Sequence, residues 1–147
     1  DLSSDVRSME INPAAGIYDT GELFTEEDLV PDTAKGYMNI PDGELPKFKE
    51  GPFAKFPDFR LAVRHWMAYN TGLGNQGNAE GNVSVSFTVG KDGKAKDAKV
   101  ENRETTSSEL EAAALYTIQR LPEFIPATQN GKPVAFRMTV ALRFENR

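Results

Sequence analysis

Hydrophobic and polar residues alternate most regularly near the end of the chain. The apolar residues there occupy every second position: Val134, Phe136, Met138, Val140, Leu142 and Phe144. A period of two is typical of a strand with one buried and one solvated face. Residues 83–89 alternate in the same way and are followed by an Asp92-Gly93 turn, which predicts a hairpin. The next strand, residues 94–101, has an interrupted alternation, which predicts a bulge or a short strand.

Two other stretches have the period of a helix, each with one apolar stripe. The first begins around Pro57, because proline suits a first helical turn, and ends near Asn70 before a glycine-rich loop. The second begins with the capping box Ser108-x-x-Glu111 and ends at Pro122. The pattern therefore predicts helices on both sides of the first strand pair.

From residue 57 onward the predicted order is helix, strand, strand, helix, strand. An α+β fold buries all the apolar faces most economically, with a three-stranded antiparallel sheet and two helices packed on one face. The segment Pro122–Pro126 is expected to be extended, and Asn130-Gly131 to turn the chain into the last strand. That strand joins beside either of the other two. One edge and one face of the sheet are then open to solvent.

The beginning of the chain has a different character. Residues 1–50 hold 12 acidic and 4 basic residues, a net charge of −8, whereas residues 51–147 hold 10 acidic and 13 basic residues, a net of +3. We expect residues 1–43 to be an acidic, weakly patterned segment and residues 44–147 to form the domain. Within an irregular lead-in, Thr25-Glu26-Glu27-Asp28 predicts one helical turn. The segment is either a solvated arm or an arm that folds back onto the domain.

The chemistry-bearing residues do not favour an enzyme. The chain has no cysteine, which excludes disulfides, thiolate metal sites and a cysteine nucleophile. The only histidine, His65, has no pattern of nucleophile or orienting acid around it, and the carboxylates have no calcium or zinc spacing. Gly72-x-Gly74-x-x-Gly77 follows a helix and precedes a strand, the reverse of a dinucleotide site. The net charge of −5 argues against nucleic acid. We therefore expect no catalysis, no cofactor, no metal and no nucleic-acid partner.

From Gly81 onward the chain resembles the TonB C-terminal domain family. The motifs that carry the resemblance are Gly81-x-Val83-x-Val85-x-Phe87-x-Val89, Asp92-Gly93, Leu110-Glu111-x-x-Ala114, Pro122-x-Phe124-x-Pro126, Asn130-Gly131-Lys132-Pro133-Val134 and Phe144. The lead-in Leu45-Pro46-Lys47-Phe48-x-x-Gly51 is also similar to the family, so that the resemblance extends over residues 44–146. Glu111, Phe124 and Asn70 stand where the family has Asp, Trp and Pro.

The resemblance implies a periplasmic domain that binds a protein or peptide. Members of the family capture the N-terminal segment of an outer-membrane TonB-dependent transporter by adding it as a strand to an open sheet edge. The physics of an open edge agrees with this, because its unpaired N–H and C=O groups can be completed by a peptide. We expect the edge to be the last strand. The candidate partner-binding residues are Val134, Phe136, Arg137, Thr139 and Arg143.

A second hypothesis assigns the chain the same fold but no role in energy-coupled transport. The family's transducing role also needs an inner-membrane anchor and a Pro-rich spacer, and we expect any anchor or signal segment to lie outside this chain. The domain would then be a stand-alone periplasmic interaction or scaffold module, whose residues 1–50 cover the free edge. Exchange of strands between two copies is a further open alternative for a sheet with a free edge.

Overall fold

The computed structural model describes residues 23–70, 81–102 and 107–144. Within these ranges the helices are α1 (Phe59–Asn70) and α2 (Ser108–Gln119). The strands are β1 (Leu23–Thr25), β2 (Val30–Asp32), β3 (Tyr37–Asn39), β4 (Gly43–Glu44), β5 (Lys47–Phe48), β6 (Gly81–Val89), β7 (Ala95–Val100), β8 (Phe124–Ile125), β9 (Ala127–Gln129) and β10 (Lys132–Phe144). The motif Gly72-x-Gly74-x-x-Gly77 lies outside the described residues.

Strands β7, β6 and β10 are the three longest strands of the main sheet and lie side by side in that order, all antiparallel, with β7 at the edge. The last strand therefore lies beside the first strand of the hairpin, with Phe136 opposite Val89 and Phe144 opposite Gly81. Alternate side chains of β6 and β10 are almost fully buried on one face. The apolar stripes of both helices belong to the same core cluster, so both helices pack on that face. The predicted α+β class is confirmed.

The prediction of a three-stranded sheet is wrong, because the main sheet has six strands. Beyond β10 the sheet continues through β9 and β4, and β1 pairs with β10 in parallel. These added strands have two or three residues each, too few for an alternating pattern to be recognised in the sequence. The expected turn before β10 is present, with positive φ angles of 54° at Asn130 and 81° at Gly131.

The irregularity predicted for residues 94–101 is a β-bulge in β7. Ser86 pairs with Lys99 and Thr88 with Lys96, so that two residues of β7 lie opposite the single residue between them. One of the two, Asp97, has a φ of 57°. An extra residue in one strand interrupts the ladder and leaves a backbone carbonyl free for another partner.

Both helices begin close to the predicted positions, and the second has a different capping residue from the predicted one. The first begins at Phe59 rather than Pro57, and Asp58 caps it by accepting the Arg60 N–H on Oδ1 at 2.9 Å. The second is capped by Ser107 rather than Ser108. Ser107 has an extended backbone, with φ −90° and ψ 160°, and its Oγ accepts the Leu110 N–H at 3.2 Å.

The lead-in is more regular than the sequence predicts. The single turn after β1 is confirmed, since both the N–H and the hydroxyl of Thr25 donate to Asp28 Oδ2, at 3.0 and 3.1 Å. Leu29 and Ile40 are 6% and 2% exposed and belong to the core cluster. This part of the lead-in is therefore packed against the helices and the sheet.

The segment between Pro122 and Pro126 is extended, as predicted, and forms β8. It pairs with β5, where Phe48 lies opposite Phe124 with ring centroids 4.8 Å apart. The Phe59 ring meets Phe124 edge-on at 5.3 Å. The aromatic residue at the family's Trp position thus joins the lead-in to the first helix.

Candidate functional site

The β7 edge of the main sheet is poorly suited to accept a further strand. Its ladder is interrupted by the bulge at Asp97, and Lys96 and Lys99 lie on either side of that residue. Bulges and lysines are the devices by which natural proteins discourage pairing at a sheet edge. The edge at β7 is therefore not the candidate binding edge.

The second candidate edge is the side of β10 that faces away from β6, along the second half of the strand. The Thr139 N–H donates to Glu26 Oε1 at 3.3 Å, on the side of β10 away from β6. Backbone groups alternate between the two sides of a strand, so that the N–H and C=O groups of Ala141 and Arg143 also point away from β6.

The register on the far side of β6 agrees with this direction. The Glu101 N–H donates to the Ser84 carbonyl at 2.7 Å, which directs the backbone groups of Ser84 towards β7. Those of the next residue, Val85, therefore face β10, where Val140 lies opposite. The backbone groups of Val140 point back at β6, and those of its odd-numbered neighbours point outward.

This outer edge of β10 is covered along its first half. Residues 132–134 pair with β9, and residues 135–137 pair with β1. The Glu26 carboxylate then accepts the Thr139 N–H. In the part of the chain that the structure describes, no strand pairs with this edge beyond that point. Residues 139–143 are therefore the open stretch.

The five candidate residues on β10 differ in what they offer a partner. Val134 and Phe136 are 1% and 0% exposed, so their side chains lie in the core. Arg137 is half-buried, whereas Thr139 and Arg143 are exposed beside the open stretch. Only the last two bring both an outward backbone and an accessible side chain to this edge.

Arg137 is occupied by a polar network on the sheet face opposite the helices. Its guanidinium donates to Thr88 Oγ1 at 2.8 Å, to Ser86 Oγ at 2.7 Å and to the Asp97 carbonyl at 3.3 Å. Ser86 in turn donates to a Glu101 carboxylate oxygen. The bulge thus supplies the Asp97 carbonyl as one of the acceptors that fix the position of the Arg137 side chain.

The residues at this edge that the sequence pattern missed are those of β1 and Glu26. The pattern identified only the turn that begins at Thr25, because three residues, Leu23-Phe24-Thr25, are too few to reveal a strand. The strand with which β1 pairs, β10, also lies more than a hundred positions away in the sequence, so that no local pattern indicates the pairing.

The described residues carry little that points to other chemistry. No group of three or more His, Asp or Glu side chains among them is placed to hold a metal ion. His65 is exposed and stacks on Phe56, with ring centroids 4.9 Å apart and an interplanar angle of 18°. Neither described helix has the length and apolar character that a membrane span requires.

Comparison with known proteins agrees with this geometry. Residues 75–145 match the family model described as the Gram-negative bacterial TonB protein C-terminal. Over these residues the chain is similar to the TonB C-terminal family. No curated protein and no solved structure matched the chain.

The matched stretch, residues 75–145, begins shortly before β6 and extends through β10. It includes β10, which carries the candidate edge, its neighbour β6, and the helix α2 that lies between them in the sequence. The similar lead-in at residues 44–74 lies before the match. TonB C-terminal domains are protein-interaction domains, which is the role that an open strand edge can serve.

Proposed function

We propose that this chain is a periplasmic domain that captures an extended segment of an outer-membrane transporter by strand addition to β10, for energy-coupled transport. The observation that supports it best is the outward backbone of residues 139–143, which no strand covers within the described residues. Main-chain hydrogen bonds to such an edge provide affinity, and the alternating side chains of the peptide provide specificity. Catalysis has no part in this proposal.

The pairing of β1 with β10 also supports the proposal, because a segment of the same chain already pairs with this edge. A short extended segment already lies on this edge, with Leu23 opposite Ala135 and Thr25 opposite Arg137. The edge is therefore geometrically able to accept a parallel strand. Thr139 and Arg143 add an exposed hydroxyl and an exposed positive charge beside it.

A second candidate is a stand-alone periplasmic scaffold module on the same fold, without transport coupling. It is favoured by the cover that β9 and β1 give to the first half of the edge. The gene sequence upstream of Asp1 separates the two. An apolar span followed by a Pro-rich stretch supports transport coupling, and a plain signal peptide or lipoprotein signal supports the scaffold.

An NMR titration of the 147-residue chain with N-terminal peptides of outer-membrane transporters from the same organism tests strand addition. We expect amide shifts concentrated at residues 135–143 and an Ala141→Pro variant that binds at least about tenfold more weakly, since proline removes an outward N–H while the pairing with β6 is kept. Ala141→Ser, which keeps that N–H, is the matched control. Unchanged spectra at millimolar peptide, or equal binding by both variants, would count against strand addition to β10.

A further inference from the structure

The short strand β1 occupies the place where the proposed function puts a partner. We propose that residues Leu23–Asp28, called the latch below, are a built-in substitute for the partner strand and must leave β10 before a partner binds. This inference rests on the proposed function, because a latch has a role only at a binding edge.

The latch is held as a bound peptide would be. Leu23, Phe24 and Thr25 run parallel to β10. The Thr25 N–H donates to Asp28 and so points away from β10, which directs the N–H of the preceding residue, Phe24, towards it. Glu26 extends the contact by one residue, because its carboxylate accepts the Thr139 N–H.

The latch can also separate from β10 without unfolding of the rest of the domain. None of its six residues is fully buried, and the strand within it has three residues. The next residue, Leu29, is 6% exposed and anchored in the core cluster. A segment with few buried contacts opens more readily than the core to which it is tied, so that the opening ends at this anchor.

The open stretch gives a partner its starting point. Among the described residues no strand covers residues 139–143 beyond the contact with Glu26, whereas the latch strand covers only residues 135–137. A peptide of about eight residues can pair first with the open stretch and then with the whole of residues 135–143. It therefore replaces the short pairing of the latch with one about three times as long.

The chemistry of the latch indicates the class of partner. Phe24 is partly buried against the core cluster, and two positions later Glu26 provides a carboxylate for a backbone N–H of β10. Arg143 lies further along the open stretch and adds positive charge. We infer that the preferred partner is an extended peptide that runs parallel to β10, with a large apolar residue followed two positions later by an acidic one.

A synthetic peptide with the sequence of residues 21–29, added to the full chain, tests the latch directly. The variant Phe24→Pro removes the N–H that faces β10, and Leu23→Pro removes one that faces away and is the matched control. If the latch is closed about nine-tenths of the time, opening it strengthens the apparent affinity about tenfold. We expect that gain in Phe24→Pro and an unchanged affinity in Leu23→Pro.

The outcomes separate the two proposals. Equal affinity of the unmodified chain and both variants, or no binding of this peptide to Phe24→Pro, overturns the latch. The titration with transporter peptides judges strand addition on its own, so that one proposal can fail while the other stands.

Amide hydrogen exchange of the unmodified chain gives a second test that needs no variant. The N–H groups of Arg137 and Thr139 face the latch, whereas those of Met138 and Val140 face β6. Opening of the latch exposes only the first pair, which we expect to exchange at least about tenfold faster than the second. Equal protection of the two pairs contradicts a latch that opens on its own.

Discussion

Arg137 donates three hydrogen bonds on the sheet face opposite the helices. The alternation of the last strand places it on the polar face, as a cationic contact for a partner. In the folded chain it lies over Ser86 and Thr88, which are 2% and 1% exposed. Buried hydroxyl groups need hydrogen-bond partners, and Arg137 satisfies two of them at once.

Replacement of Arg137 by alanine is expected to lower the free energy of unfolding by about 1–3 kcal/mol, because it removes the donor to the buried Thr88 hydroxyl and one of the two partners of the Ser86 hydroxyl. The measurement is urea unfolding followed by circular dichroism. Lys132→Ala, an exposed change on the same strand, is the matched control and should stay within about 0.5 kcal/mol of the unmodified chain. A similarly small effect of Arg137→Ala would show that the network adds little to stability.

At the scale of elements, the β6–β7 turn is fastened to β8. Gly93 has a φ of 83°, and a Cβ there would lie 2.1 Å from the Phe124 carbonyl oxygen, so that only glycine fits. The Phe124 N–H donates to the Gly93 carbonyl at 2.8 Å. The turn between β6 and β7 therefore lies against β8, the strand that contains Phe124.

The same turn contains a carboxylate with an altered pKa. Partial burial alone would raise the pKa of Asp92, but hydrogen bonds from the Lys94 N–H at 3.1 Å and the Lys96 ammonium at 3.0 Å outweigh it and lower that pKa below its usual value of 3.8. A lowered pKa in the folded state stabilises the fold above the unfolded value. That stabilisation is lost as the pH falls through the folded value.

The variant Asp92→Asn should therefore show a smaller fall in the urea midpoint than the unmodified chain between about pH 5 and pH 2. The effect is modest, because the side chain of Asp92 is half exposed and solvent screens its interactions. Glu50→Gln, an exposed carboxylate, provides the control. Parallel midpoint curves for Asp92→Asn and the unmodified chain would rule out a contribution of this turn to the acid sensitivity.

On the scale of the whole molecule, the lead-in is part of the domain's core. Leu29 and Ile40 lie in the cluster that also contains the inward side chains of the sheet. Phe48 packs against Phe124 from β5. Residues of the expected segment 1–43 thus contribute side chains to the core of the domain.

A chain shortened to residues 44–147 is expected to lose about 3–6 kcal/mol of unfolding free energy, because two fully buried aliphatic side chains, Leu29 and Ile40, are removed. Urea unfolding of this chain beside one that begins at residue 23 measures the loss, since the longer chain keeps both residues. Equal stability of the two would instead support residues 44–147 as a self-sufficient domain.

Local patterns in the sequence were enough to identify the elements of the central fold. Long, regular alternation identified β6 and β10, and helical stripes with nearby caps identified α1 and α2. These signals are local, because period and capping depend on neighbours within a few residues. They sufficed for the α+β class and for the resemblance that the family model confirms over residues 75–145.

The tertiary structure alone decided what lies on the edge of β10. The strands that cover it are two or three residues long, and β1 pairs with positions more than a hundred residues away. Whether a buried hydroxyl lies beneath Arg137, and whether an acidic side chain reaches the Thr139 N–H, also depends on such distant pairings. Local patterns contain no information on them, because register between remote segments is set by packing in the folded chain.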